Sequence, residues 1–189
     1  DLKNAIAALK QSLKLKPNYP EAHCNIGIAL KEKGRFDEAI ASFKEALKLK
    51  PNYPEARYNL SHVLLLTGSY EKGWIEYEYR SKRKKNPSNP HAKPKTKRWQ
   101  GKTFNKGERL LIVSEQGLGD TIQYMRYIPY IRSQGVDVSF CAQEKLHNLI
   151  KSSNIDSKPL SLKEIDSIED RKWIPLLSLP RYIGVTPST

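Results

Sequence analysis

The chain has 189 residues, 38% of them hydrophobic and 28% charged, with a formal net charge of +13. That length holds one or two domains with a real core, and no run approaches the roughly 18 apolar residues of a membrane span. The charge is uneven: Tyr79–Gly107 holds 11 Lys or Arg and no acid, which argues against a basic nucleic-acid-binding domain spread over a folded face.

The first half repeats itself. LKLKPNYPEA at Leu13–Ala22 recurs unchanged at Leu47–Ala56, an offset of 34 that also relates Gly34 to Gly68 and Leu9 to Phe43 to Tyr77. Ala5, Ala39 and Gly73 follow the same offset. Prolines end one helix, glycines turn between the two helices of a pair, and small residues mark close helix crossings. The period and pattern resemble the tetratricopeptide repeat (TPR), a helix–turn–helix unit stacked into a superhelix. Gly27, Ala39, Phe43, Ala46 and Pro51 match that pattern, and His23 stands where it often has Trp.

Residues 1–16 read as a half repeat, with full repeats at 20–50 and 54–85. Arg80 and the missing closing proline predict a different exit for the final helix. Asp1 falls inside a helical pattern, which leaves a leader segment open and predicts further repeats upstream.

Residues 86–107, rich in Pro, Asn and Lys, read as a basic linker with Trp99 and Phe104 packed on neighbours. A nucleic-acid patch is the competing reading; no aromatics interleave the basic run before Trp99, so nucleic acid is not expected as a partner.

From residue 108 to 189 the period changes. Strands are predicted at 109–114 and 136–141, helices at 120–133 and 144–153, and a further strand or buried extended segment at 173–179. Alternating strand and helix implies a parallel sheet. The fold class is multidomain: an all-α superhelix followed by a partial, Rossmann-like α/β domain, the sheet continuing past Thr189. Pro129 predicts a kink in the first of these helices.

The loop SEQGLGD, Ser114–Asp120, follows the first strand. Ile122 occupies the third-glycine position of a dinucleotide loop, and no Gly-Lys-Ser/Thr follows, so neither phosphate motif fits. Asp120 by itself reads as the helix N-cap, its carboxylate accepting backbone N–H bonds from the first turn.

Together with Trp99-Gln100-Gly101 and PLLSLP at 175–180, RLLIVSEQGLGDTIQYMRYIPYI resembles the glycosyltransferase-related domain found after tetratricopeptide repeats in bacterial proteins. That domain is similar to the N-terminal half of heptosyltransferase-like and O-linked N-acetylglucosamine transferase-like enzymes of the two-domain GT-B type. The resemblance implies Asp120 as general base, with Gln116, Gly117, Leu118 and Gly119 forming the substrate loop. It implies a nucleotide-sugar donor held by a second domain, and a polypeptide in the repeat groove, gripped by Asn25 and Asn59. The rival for these asparagines is local hydrogen bonding.

No metal or cofactor is expected, since no Asp-x-Asp pair occurs. His23, His62, His91 and His147 carry no metal spacing. Cys24 and Cys141 match no redox or metal spacing, and a cytoplasmic setting follows. The alternative function is an interaction scaffold whose α/β part is catalytically silent. The 189-residue chain itself is expected to be inactive in sugar transfer.

Overall fold

The structure, a computed structural model, describes residues 1–85 and 88–184. The chain divides into two compact units, with the boundary along the chain between residues 87 and 88. Residues 86, 87 and 185–189 of the expected linker and α/β part lie outside the described residues.

The first unit is helical: α1 (Leu2–Leu15), α2 (Pro20–Glu32), α3 (Phe36–Leu49), α4 (Pro54–Leu66) and α5 (Tyr70–Tyr77). Pro20 and Pro54 open α2 and α4, where a missing N–H costs nothing and φ is preset. Gly34 and Gly68 end those helices with φ of +72° and +83°, a left-handed turn that a side chain resists. The unit is built of helical repeats. The core is the repeat pattern in space: Ala39, Phe43, Ala46, Ala56 and Val63 are wholly buried.

Beyond α5 the chain tightens into a 3-10 segment, Glu78–Lys82. It still follows the repeat register. The Glu21 carboxylate meets Lys50 at 3.0 Å, and one repeat later Glu55 accepts the backbone N–H of Lys84 at 2.9 Å. Arg83 lies over the Tyr58 ring at 4.1 Å.

The second unit holds a sheet of three parallel strands, β1 (Arg109–Val113), β2 (Asp137–Cys141) and β3 (Lys172–Pro175), in the order β2–β1–β3. Ile112 faces Phe140 on one side and Ile174 on the other. Leu111, Val113, Cys141 and Trp173 pack with Ile165 on one face of the sheet. Leu110, Ile112, Phe140 and Ile174 alternate with them and are equally buried, as a sheet covered on both faces requires.

The predicted helix 120–133 is two helices, α6 (Leu118–Met125) and α7 (Tyr127–Ser133), parted at Arg126. Pro129 cannot donate to the Met125 carbonyl, which frees the chain to break there. The predicted helix 144–153 starts as a 3-10 turn, Glu144–Leu146, before α8 (His147–Ser152). The segment after β3 passes through a 3-10 turn, Leu176–Ser178, into α9 (Leu179–Ile183).

Residues 88–107, expected as a linker, are held to this second unit. Trp173 donates its N–H to the Lys97 carbonyl at 3.1 Å, and Trp99 donates to Trp173 at 2.7 Å. The strap therefore extends the sheet beyond β3. Trp99 is buried against Phe104 and Tyr182 and gives its indole N–H to Glu108 at 2.7 Å.

Arg132 of α7 ties β2 to the loop behind it, through the Val138 carbonyl at 2.9 Å and the buried Asp156 carboxylate at 2.6 Å. Removing the cation strands a buried charge. Arg132→Met should cost about 2–4 kcal/mol in urea unfolding, and Arg132→Met with Asp156→Leu should recover much of it. A double variant no more stable than the single would show that the pair is not coupled.

Candidate functional site

Strand order fixes where a site can form. From β1 the chain leaves toward β2, and from β2 it returns across β1 to β3. In open parallel sheets, ligands bind beyond the C-terminal strand ends, where the connections diverge. The loop Ser114–Gly117 leaves β1 at that end.

Glu115 anchors that loop. It is buried, accepts the Leu177 backbone N–H at 3.1 Å, and accepts the Ser88 hydroxyl at 3.2 Å. It thus ties the end of β1 to the end of β3 and to the strap. Ser114, also buried, pairs with His91 twice: its carbonyl accepts the His91 N–H, and its Oγ lies 2.9 Å from Nδ1. Sequence reasoning missed Glu115 and His91; an acid continuing an apolar strand without a break was the available signal for the first.

Gln116 carries the loop's unusual backbone, with φ of +62°, and its amide donates to Ser88 Oγ at 2.8 Å. Gly117 is ordinary extended chain. The glycines therefore do not make the left-handed bend. Gly119 lies in the first turn of α6, with open space where a side chain would stand. Leu118 and Ile122 are exposed on that helix.

Asp120 is not the N-cap. Helix α6 begins at Leu118 with Gly117 as cap, which puts Asp120 at the third position. From there its Oδ2 accepts the Gly117 N–H at 3.0 Å, the backward arm of a capping box. The reason is geometric: a glycine cap has no side chain to accept with, and an acid three residues on satisfies the orphan donor from inside the helix. Asp120 remains partly exposed. Thr121 Oγ1 lies 3.0 Å from Gln143 Oε1, which joins α6 to the loop after β2.

On the repeats, Asn25 is exposed on α2, and Asn59 is half-buried on α4. The Asn59 amide donates to the Glu55 carbonyl of its own helix at 2.8 Å. Near it, His62 packs edge-on to Tyr58 at 4.4 Å and beside Tyr77 at 6.0 Å. Burial drives its pKa down to about 4, helped by the charges of Lys31 and Arg83. Among the described residues, no group of three or more His, Cys, Asp or Glu is placed to hold a metal ion, and no helix is long and apolar enough to cross a membrane.

The comparisons bear on the first unit. The family model for the TPR repeat matches residues 1–34 and 29–68. Residues 1–68 therefore match the tetratricopeptide repeat. Among solved structures, MamA (residue 41 to the end) from Desulfovibrio magneticus RS-1 is 32% identical, with 41% of this chain and 44% of that one covered and a TM-score of 0.40. TTC0263, a thermophilic TPR protein in Thermus thermophilus, is 31% identical over 41% of this chain and 39% of its own, with a TM-score of 0.39. The chain thus spans less than half the length of either protein. No curated protein sequence is matched.

Proposed function

We propose that the chain recruits a polypeptide along its tetratricopeptide repeats, and that its α/β unit is the acceptor-side part of a sugar-transferring enzyme of Rossmann-like, GT-B type. The first part of this reading stands on the repeats, which bury a continuous core; stacked repeats of this kind offer an extended concave face to partners. Asn25, exposed on α2, would grip the bound backbone there, whereas Asn59, whose amide already donates to the Glu55 carbonyl, would offer a partner only its remaining groups. The second part rests on one observation: the loop with Asp120 leaves β1 at the C-terminal edge of a parallel sheet, beside the end of β3. An acceptor hydroxyl at that edge would meet a partly exposed carboxylate placed to take its proton, as its oxygen bonds to the anomeric carbon and the sugar's bond to the departing nucleotide breaks. A nucleotide-sugar donor would come from a further domain, and no metal is needed to state the step.

The test uses a full-length protein. Asp120→Asn keeps an oxygen for the Gly117 N–H, so its thermal stability should stay within about 0.5 kcal/mol of wild type, while Asp120→Ala should lose about 1 kcal/mol. Transfer should fall by about 10²-fold or more in both, the usual weight of a general base. Equal losses of stability and transfer would reduce Asp120 to a helix cap. In that case the chain is a polypeptide scaffold with a silent α/β unit, the reading the repeats support by themselves.

A further inference from the structure

His91 reaches the C-terminal end of β1 from the strap. Its backbone N–H donates to the Ser114 carbonyl at 2.9 Å, and its neighbour Pro90 bridges Glu115 in antiparallel fashion. The ring is held too, with Nδ1 2.9 Å from Ser114 Oγ. Ser114 is wholly buried, and among the described residues its hydroxyl has no other acceptor. A buried hydroxyl needs one, so Ser114 donates to Nδ1. The hydrogen of the neutral ring then sits on Nε2. His91 is half-buried, and its Nε2 bonds to nothing among the described residues. The ring is thus oriented through one nitrogen while the other keeps a hydrogen-bond donor in reserve.

Ser114 anchors His91, and Gly117 anchors the Asp120 carboxylate. Three residues apart, those anchors are separated by at most about 11 Å. Such a span leaves room for a bond to be exchanged between the two groups, as between the paired acid and base of sugar-cleaving sites. The local charge favours an anion: Lys93 and Lys97 of the strap are exposed, and residues 90–100 contain no acid. The Glu115 carboxylate is turned to the Leu177 N–H and the Ser88 hydroxyl. We propose that His91 Nε2–H donates a hydrogen bond to the phosphate oxygen on which the nucleotide departs. The acceptor oxygen bonds to the anomeric carbon and its proton passes to Asp120. The electron pair of the broken bond stays on the phosphate oxygen, where the His91 hydrogen bond stabilises the new charge. His91 keeps its proton throughout. This inference rests on the sugar-transfer reading above and adds a residue that contacts the nucleoside phosphate.

The experiment follows the histidine rings of the 189-residue chain at neutral pH by long-range proton–nitrogen NMR correlation, with His91 assigned by its loss in His91→Gln. In the free chain His91 should show a protonated Nε2 and an unprotonated Nδ1, and Ser114→Ala should remove that bias. Inorganic pyrophosphate should shift the Nε2 signal saturably, leaving His23 and His62 on the repeats unmoved. Sodium chloride at matched ionic strength should not reproduce the shift. A protonated Nδ1, or a response to pyrophosphate no larger than that to chloride, overturns the inference. In the full-length protein, transfer should fall at least tenfold in His91→Phe and be partly restored in His91→Gln, whose amide keeps a donor near the place of Nε2. Equal losses in the two variants would reduce His91 to a tie between strap and β1. Undiminished transfer in Asp120→Asn, with the pyrophosphate response intact, would overturn the base and leave the phosphate contact standing.

Discussion

Gly27→Ala should destabilise the repeats by about 1–3 kcal/mol, although alanine is the better helix former by about 1 kcal/mol. The reason is Phe43. A Cβ on Gly27 would fall 2.7 to 2.9 Å from three atoms of its ring, and that ring is wholly buried, with nowhere to move. Phe43→Ala by itself should cost about 3–5 kcal/mol through lost burial and the cavity left behind. The informative measurement is the double-mutant cycle in urea. With the ring gone the clash vanishes, so Gly27→Ala should turn neutral or stabilising in the Phe43→Ala background. Strict additivity of the two changes would mean that the glycine is not kept by the ring.

The second large effect is on pH. The His62 pKa lies near 4 in the folded chain and near its ordinary value when unfolded. The unfolded chain therefore binds this proton first. Stability linked to His62 is complete above about pH 6.5 and falls away as the pH drops toward 4, by at most about 3 kcal/mol. Carboxylates such as Glu21, held below the usual range by Lys50, lose their own contribution only at the acid end of this window. His62→Gln, which cannot charge, separates the two. Its unfolding midpoint, followed by helical circular dichroism, should stay level between about pH 6.5 and 5, where the wild type declines. Parallel declines in both proteins would show that His62 takes no part.

The repeats were legible because each helix boundary is written twice, 34 residues apart, in residues whose backbone demands are local: Pro20 and Pro54, Gly34 and Gly68. Phe43 and Ala39 were legible as core for the same reason. The exit after α5 was not. The closing proline is missing, yet the Lys84 backbone N–H meets Glu55 at the place where the Lys50 ammonium meets Glu21 one repeat earlier, so register outlasts the sequence signature. The strap was hidden because its attachment is backbone pairing with Trp173, and such pairing leaves no side-chain pattern in a lysine-rich run.

At the loop, the acid was visible but its place in the helix was not. Sequence marks a good N-cap residue at Asp120, whereas the fold uses the same carboxylate from the third position. Gln116 rather than a glycine takes the left-handed turn, a choice tied to Ser88, distant in sequence. Glu115 gave the weakest signal, because its partners, Leu177 and Ser88, come together only after both strands are in place.

The strap has one more consequence. A three-stranded sheet offers two open borders, and unpaired strand borders template association with other chains. On the β3 border, Lys97 and Trp99 already occupy the main-chain groups of Trp173. Across the sheet, Leu160 takes the Phe140 carbonyl and gives its own to Ala142. Both borders are thus partly stoppered by the chain's own irregular segments, and the lysines of the strap add like-charge repulsion on one of them. So guarded, the unit resists strand-to-strand self-association at these borders, and loss of the strap should show first as aggregation rather than as unfolding.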